Sequence, residues 1–267
     1  MKKVFLTGAS SGIGLAMAQS LIARGDEVWG TSRNLIRLEQ VPGIHPVRLD
    51  LADPRSIDEA FKAALADAGY FDVVINNAGG GHFGPGEHLP PQEIQDQFQV
   101  LLFSHVQLMR LALAALRARG NGLIINVTSL ASRLPVPFMA AYNAAKAAMA
   151  SFTMSVQLEL PDANIRIVDL QPADICTAFN DAIPKSAEHD PRYHDRVAKT
   201  WDSVDRNMKK APKPELVAEH VLRLIDSASP PPRIAVGDMF QSKVAPFIFR
   251  FLPQRVRIWG LKNYYGL

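Results

Sequence analysis

The chain has 267 residues, of which 48% are hydrophobic and 21% charged, and its formal net charge is +3. This length fits one large α/β domain or two small ones, and because no linker-like stretch interrupts the chain we predict a single domain over residues 1–267. The positive excess is small and mostly scattered, so charge gives no reason to expect a nucleic-acid-binding protein.

The chain contains one cysteine, Cys176, which has no second thiol with which to form an internal disulfide. That usage is typical of a reducing compartment. The apolar run at the N-terminus is too short for a signal peptide, and no stretch of about eighteen apolar residues follows. We therefore expect a cytoplasmic protein without an integral membrane segment.

The N-terminal segment predicts a strand, a glycine turn and a helix, in that order. A short apolar run over residues 4–6 is followed by glycines in the spacing GxxxGxG, and residues 15–23 have helical periodicity. Glycines permit a tight turn and a close ligand approach, while free amides at a helix N-terminus attract phosphate. The order favours a dinucleotide-binding site over an ordinary loop. Its candidate residues are Gly8, Ser10, Ser11, Gly12, Ile13 and Gly14.

The end of the second predicted strand, over residues 27–30, bears on the choice of cofactor. In a dinucleotide fold this point meets the adenosine ribose, where an acid binds the 2′-hydroxyl and an arginine accommodates a 2′-phosphate. Arg33 follows the strand, and no acid appears before Glu39. Because the guanidinium is a planar fork of donors suited to phosphate, we predict NADP(H) in preference to NAD(H). The alternative is that Arg33 is only a solvated charge.

A third strand, over residues 44–49, is followed by Asp50. At a strand end this carboxylate is placed to meet the adenine edge of the cofactor. Asp53 and Pro54 equally suit the start of a helix over residues 55–68.

A fourth strand, over residues 71–75, runs into Asn76 and Asn77. Those amides either satisfy backbone groups of neighbouring strands or line the cofactor crevice. The glycine-rich loop over residues 80–86 is open, as expected for the rim of an active site.

Strands and helices continue to alternate in the second half of the chain. A long amphipathic helix over residues 91–119 carries His105, which we expect to be a packed or hydrogen-bonded core residue. Strands are predicted over residues 123–129 and 165–170, with a helix between them. Alternation of this kind, with strands apolar on both faces, predicts a doubly covered parallel sheet.

Tyr142 and Lys146 are four residues apart on that helix and so share one face. A free phenol has a pKa near 10, and a neighbouring cation lowers it by favouring the phenolate. The pair suits acid/base chemistry, although the same spacing is common on solvated helix faces. Ser129, at the end of the preceding strand, strengthens the interpretation.

Four motifs together resemble those of the short-chain dehydrogenase/reductase family. They are Thr7-Gly8-xxx-Gly12-Ile13-Gly14, Asn76-Asn77-Ala78-Gly79, Ser129 and Tyr142-xxx-Lys146. The match covers about residues 1–180. It implies a single Rossmann-type α/β domain with a parallel sheet of about seven strands, and hydride transfer between a nicotinamide and a carbonyl or alcohol. It also implies a small-molecule substrate, no metal, and a homodimer or homotetramer.

The resemblance implies a role for each matched residue. Tyr142 would exchange a proton with the substrate oxygen, Ser129 would hydrogen-bond that oxygen, and Lys146 would lower the pKa of the tyrosine and hold the nicotinamide ribose. Asp50 would lie by the adenine and Thr177 near the carboxamide. The other implied cofactor contacts are Leu51, Asn77, Ala78, Gly79, Pro172 and Ile175.

The sequence departs from the family pattern at two positions. Leu101 stands where an asparagine commonly helps to relay protons through water to the lysine. Leucine has no polar side-chain atom, so either Ser104 or His105 rebuilds the relay or turnover is slowed. Ala173 follows Pro172 where glycine is usual, and an alanine would be strained at positive φ.

After Thr177 the sequence becomes polar and mixed, which predicts a helical lid or substrate loop over about residues 178–212. Several apolar residues around this segment suit either a substrate pocket or ordinary packing. They are Phe138, Met139, Phe179 and the loop at His82-Phe83.

A further helix over residues 214–227 and a last strand over residues 233–237 are predicted before a C-terminal extension over about residues 238–267. The extension interleaves aromatic residues with arginines. We favour packing of this segment over the pocket or against another subunit, with contact to a membrane surface as the alternative.

The whole pattern predicts an NADP(H)-dependent oxidoreductase that acts on a bulky, apolar ketone or secondary alcohol. Two alternatives stay open: an NAD(H)-dependent alcohol dehydrogenase, and a nucleotide-binding regulatory protein in which Leu101 has ended turnover.

Overall fold

The computed structural model describes residues 1–161, 164–184 and 190–267. Its centre is a sheet of seven parallel strands in the order β3-β2-β1-β4-β5-β6-β7. The strands are β1 (Lys3–Leu6), β2 (Glu27–Ser32), β3 (Ile44–Arg48), β4 (Val73–Asn76), β5 (Gly122–Val127), β6 (Ile165–Pro172) and β7 (Arg233–Val236). The predicted doubly wound Rossmann-type fold is confirmed.

Helices cover both faces of the sheet. They are α1 (Gly12–Ala23), α2 (Ile36–Glu39), α3 (Pro54–Ala68), α4 (Pro91–Phe98), α5 (Ser104–Arg119), α6 (Ala140–Glu159), α7 (Pro191–Lys210), α8 (Glu215–Asp226), α9 (Ala245–Phe251) and α10 (Gln254–Tyr265). One apolar layer joins α1 and α8 to one face of the sheet, and a second joins α3 and α5 to the other. Strands buried on both faces explain the continuous apolar runs in the sequence.

The helix predicted over residues 91–119 is interrupted by a π-helical turn, Gln99–Phe103, between α4 and α5. A π turn inserts one extra residue into the helix and often marks a functional site. By length and composition alone the stretch Pro91–Arg119 would suffice to cross a membrane. Because Leu108, Met109 and Leu116 are buried against the sheet, it is a core helix here.

The strand predicted to end at Ser129 ends at Val127 instead. Ser129 has extended backbone, and its hydroxyl oxygen accepts a hydrogen bond from the Ala131 amide at 3.1 Å, which starts the 3₁₀ turn Leu130–Ser132. The chain thus leaves the sheet two residues early, with Ser129 at its carboxyl edge.

The C-terminal extension is helical. A π-helical turn, Phe240–Val244, leads directly into α9, and α10 follows after Leu252 and Pro253.

Candidate functional site

The glycine turn lies at the carboxyl edge of the sheet, where the neighbours of β1 are β2 on one side and β4 on the other. Such a switch point forms a crevice for ligands. Gly8 has φ +71°, and a Cβ on Gly14 would overlap the Gly8 carbonyl oxygen, so both positions require glycine. Ser11 precedes α1 without capping it through its side chain, which leaves the first amides of the helix for an anion. This cradle fits the pyrophosphate of a dinucleotide.

Thr7 organises the floor of the crevice, a role that the sequence analysis missed. Its Oγ1 accepts hydrogen bonds from the amides of Asn77 at 2.8 Å and Ala78 at 3.0 Å. The Asn77 side chain donates to the Thr7 carbonyl oxygen at 2.9 Å, and Asn76 donates to Asn126 Oδ1 at 2.8 Å inside the sheet. The side chains of Asn76 and Asn77 thus bond to neighbouring parts of the sheet, which is the structural one of the two roles considered for them.

Ser129 and Tyr142 come together at this edge, where their hydroxyl groups interact. Removal of the phenol from water raises the pKa of Tyr142, and the interaction with Ser129 only partly offsets that rise. Lys146 lies 6.0 Å from the centroid of the tyrosine ring. From the sequence we expected Lys146 to lower the pKa of Tyr142. In the structure that pKa is raised, because burial outweighs the opposing effect of Ser129.

Lys146 is turned toward the sheet, where its Nζ donates to the Val127 carbonyl oxygen at 2.9 Å. Burial lowers the pKa of Lys146 to about 8, against the attraction of Asp169. Asp169 is itself buried and accepts hydrogen bonds from Gln171 Nε2 at 2.8 Å and Arg233 Nε at 2.7 Å. No sequence motif points to this carboxylate, which helps to keep the lysine charged.

Leu101 lies in the π turn and is buried beside the site. Its Cδ2 is 2.9 Å from where a Cβ on Gly79 would stand, and Lys146 Nζ is 3.8 Å from the same point. Leu101 therefore packs where a polar side chain would meet the lysine.

Of the two proposed substitutes for the missing amide, Ser104 is engaged, since its hydroxyl donates to the Val100 carbonyl oxygen at 2.7 Å. His105 is fully buried, and its Nε2 lies 2.9 Å from the Ala78 carbonyl oxygen. Burial, with a smaller contribution from Lys146, lowers the pKa of His105 to about 3, so the ring is neutral and Nε2 donates. His105 is the hydrogen-bonded core residue that the sequence analysis expected, and it supports the stretch predicted to lie along the cofactor.

The remaining predicted contacts surround the crevice. Arg33 is exposed directly after β2, and Asp50 accepts a hydrogen bond from the Ala52 amide within its own turn at 3.0 Å. Thr177 lies over the glycine turn, 3.5 Å from where a Cβ on Gly12 would stand. Leu51, Pro172 and Ile175 are buried. Ala173 does not have positive φ, because Phe138 at +63° is the one non-glycine with positive φ in the described part of the chain.

An apolar cluster adjoins the tyrosine. Phe83, Met139 and Ile183 are buried at its centre. Partly buried neighbours complete it: Val136, Phe138, Tyr142, Phe179, Val197 and Trp201. The residues predicted around a pocket are thus packed together beside Tyr142, and α7 contributes to their cover.

Helix α7 is held at both ends. Near its start Asp190 lies 2.8 Å from His88 Nε2, and Arg192 pairs with Glu87 at 3.2 Å. Toward its end Asn207 donates to the Tyr264 hydroxyl at 2.9 Å, on α10. The predicted lid segment also contains residues 185–189, which lie outside the described residues.

Comparison with known proteins agrees with this geometry. A family model described as short chain dehydrogenase matches residues 2–188. The chain belongs to this family. Like other short-chain dehydrogenases it is an oxidoreductase, and the recognition made from its motifs is confirmed.

Short-chain dehydrogenases similar to this one span nearly its whole length. The 3-ketodihydrosphingosine reductase of Bacteroides thetaiotaomicron is 27% identical over 99% of this chain and 98% of its own. A short-chain dehydrogenase from Streptomyces avermitilis has a TM-score of 0.83 at 26% identity, over 98% of this chain and 96% of its own.

Related solved structures also indicate the cofactor. The alcohol dehydrogenase of Thermococcus sibiricus, complexed with 5-hydroxy-NADP, has a TM-score of 0.74 at 26% identity, over 90% of this chain and 97% of its own. Other structural neighbours are complexed with NADP or with NADH. These findings are consistent with NADP(H) as the cofactor of this chain, with NAD(H) possible.

Proposed function

We propose that this chain is an NADP(H)-dependent oxidoreductase that interconverts a ketone and a secondary alcohol on an apolar substrate. The observation that carries the proposal is the pairing of the Ser129 and Tyr142 hydroxyl groups at the same sheet edge as the glycine cradle. Two hydroxyl groups aimed at one carbonyl oxygen stabilise the negative charge that develops there during reduction.

Each group at the site has its own part in the proposed reaction. The bound nicotinamide supplies the hydride. Because burial raises the pKa of Tyr142, its phenol is protonated at neutral pH and donates its proton to the substrate oxygen. Ser129 holds the same oxygen. Lys146, with a pKa of about 8, is protonated for much of the time near neutral pH. It supports the return of a proton to Tyr142 after the phenol has donated its own.

Arg33 supports the preference for the phosphorylated cofactor. It is exposed at the end of β2, next to the glycine turn, where the Ala9 amide donates to the Thr31 carbonyl oxygen at 3.0 Å. A guanidinium at this position binds a 2′-phosphate well, and no carboxylate lies between the end of β2 and Glu39 to select a free hydroxyl.

The apolar cluster around Tyr142 supports a bulky, apolar substrate. Phe83, Met139 and Phe179 offer no charge or hydrogen-bond donor from their side chains to a substrate chain. The name of the Bacteroides relative agrees with this chemistry, since it describes the reduction of a long-chain ketone.

We further propose a soluble cytoplasmic enzyme that forms a homodimer or homotetramer. Large apolar side chains are exposed at Phe103, in the π turn before α5, and on helix α6, at Phe152, Met154 and Leu158. Burial of such residues in a subunit contact is a common reason for their exposure in one chain.

Purified protein with NADPH, 3-ketodihydrosphingosine and a short-chain ketone tests the reaction. We expect loss of NADPH absorbance with the long ketone, and about 10²- to 10⁴-fold slower turnover in Tyr142→Phe at unchanged nucleotide affinity. Nucleotide binding without turnover of any ketone, unchanged in the variant, would instead favour a regulatory protein.

Cofactor preference is tested with Arg33→Ala, with the exposed Arg37 of α2 changed to alanine as the control. Loss of a charged hydrogen bond, about 1.5–3 kcal/mol, raises the KM for NADPH about ten- to a hundred-fold and leaves the KM for NADH unchanged. An equal effect on both cofactors, or none, contradicts a role at the 2′-phosphate.

A further inference from the structure

The C-terminal helices expose an apolar stripe. Its residues recur at helical spacing along the π turn and α9: Phe240, Val244, Phe247, Ile248 and Phe251. All five are exposed, with Phe247 at 66% and Phe251 at 69%, and their rings lie 5.3 Å apart. On α10, Trp259 is 67% exposed. An amphipathic helix ordinarily turns such a stripe toward the core, and here the stripe faces outward.

Charge is distributed unevenly around this stripe. Residues 239–267 contain five basic residues and no acid: Lys243, Arg250, Arg255, Arg257 and Lys262. The whole chain has 29 Lys and Arg and 26 Asp and Glu, so residues 1–238 carry a small acidic excess. The net positive charge of the protein is therefore located beside its most exposed aromatic side chains.

The two helices form one connected surface. Arg257 of α10 donates to the carbonyl oxygens of Leu252 at 2.7 Å and Arg250 at 2.9 Å, and its guanidinium lies 5.2 Å from the ring of Phe249. These contacts link α10 to the end of α9. Gln241 in turn donates to Asp174 at 2.7 Å, which anchors the helices to the loop that follows β6 at the edge of the site.

From these observations we propose that the C-terminal apolar stripe, with its basic neighbours, docks on the surface of an anionic lipid bilayer. Outward aromatic residues with interleaved cations match the chemistry of an interfacial helix, whose apolar face enters the headgroup boundary while its cations meet lipid phosphates. The alternative occupant, a second copy of the chain on a two-fold axis, would bring two identical sets of cations together.

The inference goes beyond the proposed function, since docking needs neither cofactor nor turnover. It also places the proposed reaction at a membrane surface. The docked helices are attached to the loop beside Tyr142, so a substrate held in the membrane would be near the site.

Co-sedimentation with vesicles tests the proposal. The full chain is mixed with vesicles of phosphatidylcholine alone, or with about one-third phosphatidylglycerol. We expect binding to the anionic vesicles, about five-fold weaker for each exposed cation removed by Arg255→Gln or Lys262→Gln, and weaker in high salt. The double variant Phe247→Ser/Phe251→Ser lowers binding about tenfold or more. Leu158→Ser, at an 82% exposed leucine on α6, leaves it unchanged.

Two measurements separate vesicle binding from loss of folding and from loss of catalytic activity. Circular dichroism checks that the serine variants retain their helices, and Tyr142→Phe is expected to bind vesicles as the parent does. Quenching of Trp259 by bromolipid, lost in Trp259→Phe although binding persists, places α10 at the bilayer.

Three results would overturn the proposal: no binding to anionic vesicles, equal binding to neutral ones, or loss of an oligomer in the double serine variant together with absence of vesicle binding. The last result would identify the stripe as a subunit contact.

Discussion

Replacement of Lys146 by methionine should stabilise the protein while it abolishes turnover. Lys146 is 4% exposed, and burial lowers its pKa from the usual 10.5 to about 8. The folded chain thus binds a proton at this site less readily than the unfolded chain. Between pH 8 and 10.5 the unfolded state holds more protons, so stability rises with pH through that window and the burial penalty is present in full below it.

The size of the penalty follows from the same shift. At 1.36 kcal/mol per pKa unit, the buried ammonium costs about 3 kcal/mol at pH 7 and about 2 kcal/mol at pH 9. Methionine removes this penalty but leaves the Val127 carbonyl oxygen without its donor, which costs about 1 kcal/mol at either pH. Lys146→Met should therefore gain about 2 kcal/mol at pH 7 and only about 1 kcal/mol at pH 9.

Urea unfolding at both pH values, followed by tryptophan fluorescence and by circular dichroism, measures these differences. Lys209→Met serves as the control. Lys209 is 74% exposed and its bond with Asp205 raises its pKa, so it stays charged in both states and its variant shows no change between pH 7 and pH 9. A gain from Lys146→Met that is equal at the two pH values, or larger at pH 9, would refute the reasoning from burial.

Three other substitutions probe the site. Leu101→Asn places an amide in a buried position beside Lys146, so the free energy of unfolding should fall by about 1–3 kcal/mol in urea titrations unless the amide finds a partner. Trp201→Ala removes an edge-to-face contact with Phe83, at 4.8 Å, and should raise the KM for a long apolar ketone more than for a short one in steady-state assays. Ser129→Ala should lower kcat about 10²- to 10³-fold in NADPH oxidation assays, with little change in nucleotide affinity.

Much of the fold was predictable because its causes are local. Buried parallel strands must be apolar on both faces, and Gly8 and Gly14 stand where no Cβ fits. The pairing of Ser129 with Tyr142 was implied by the resemblance to the short-chain dehydrogenase/reductase family.

Other features depend on contacts across the fold that spacing does not encode. The direction of Lys146 is set by the Val127 carbonyl and by Asp169, which reaches the site from a different strand. The π turn at Leu101 and the positive φ of Phe138 likewise arise from packing. The sequence of the tail shows aromatic residues interleaved with arginines, but only the folded arrangement shows that the aromatic side chains face outward.

The two attachments of α7 differ in kind. At its start Asp190 and Arg192 are ionised, and the Arg192 side chain holds the pKa of Asp190 below its usual range. That contribution is present above the usual pKa of an aspartate and is lost as the pH falls through the lowered value. At its end the bond from Asn207 to the Tyr264 hydroxyl joins neutral groups.

Added salt should consequently loosen one end of this cover and not the other. Helix α7 would then move while its end at Asn207 stays bound to α10. The opening to Tyr142 would widen near His88. Substrate access in this enzyme would then depend on salt through groups that take no part in the chemistry.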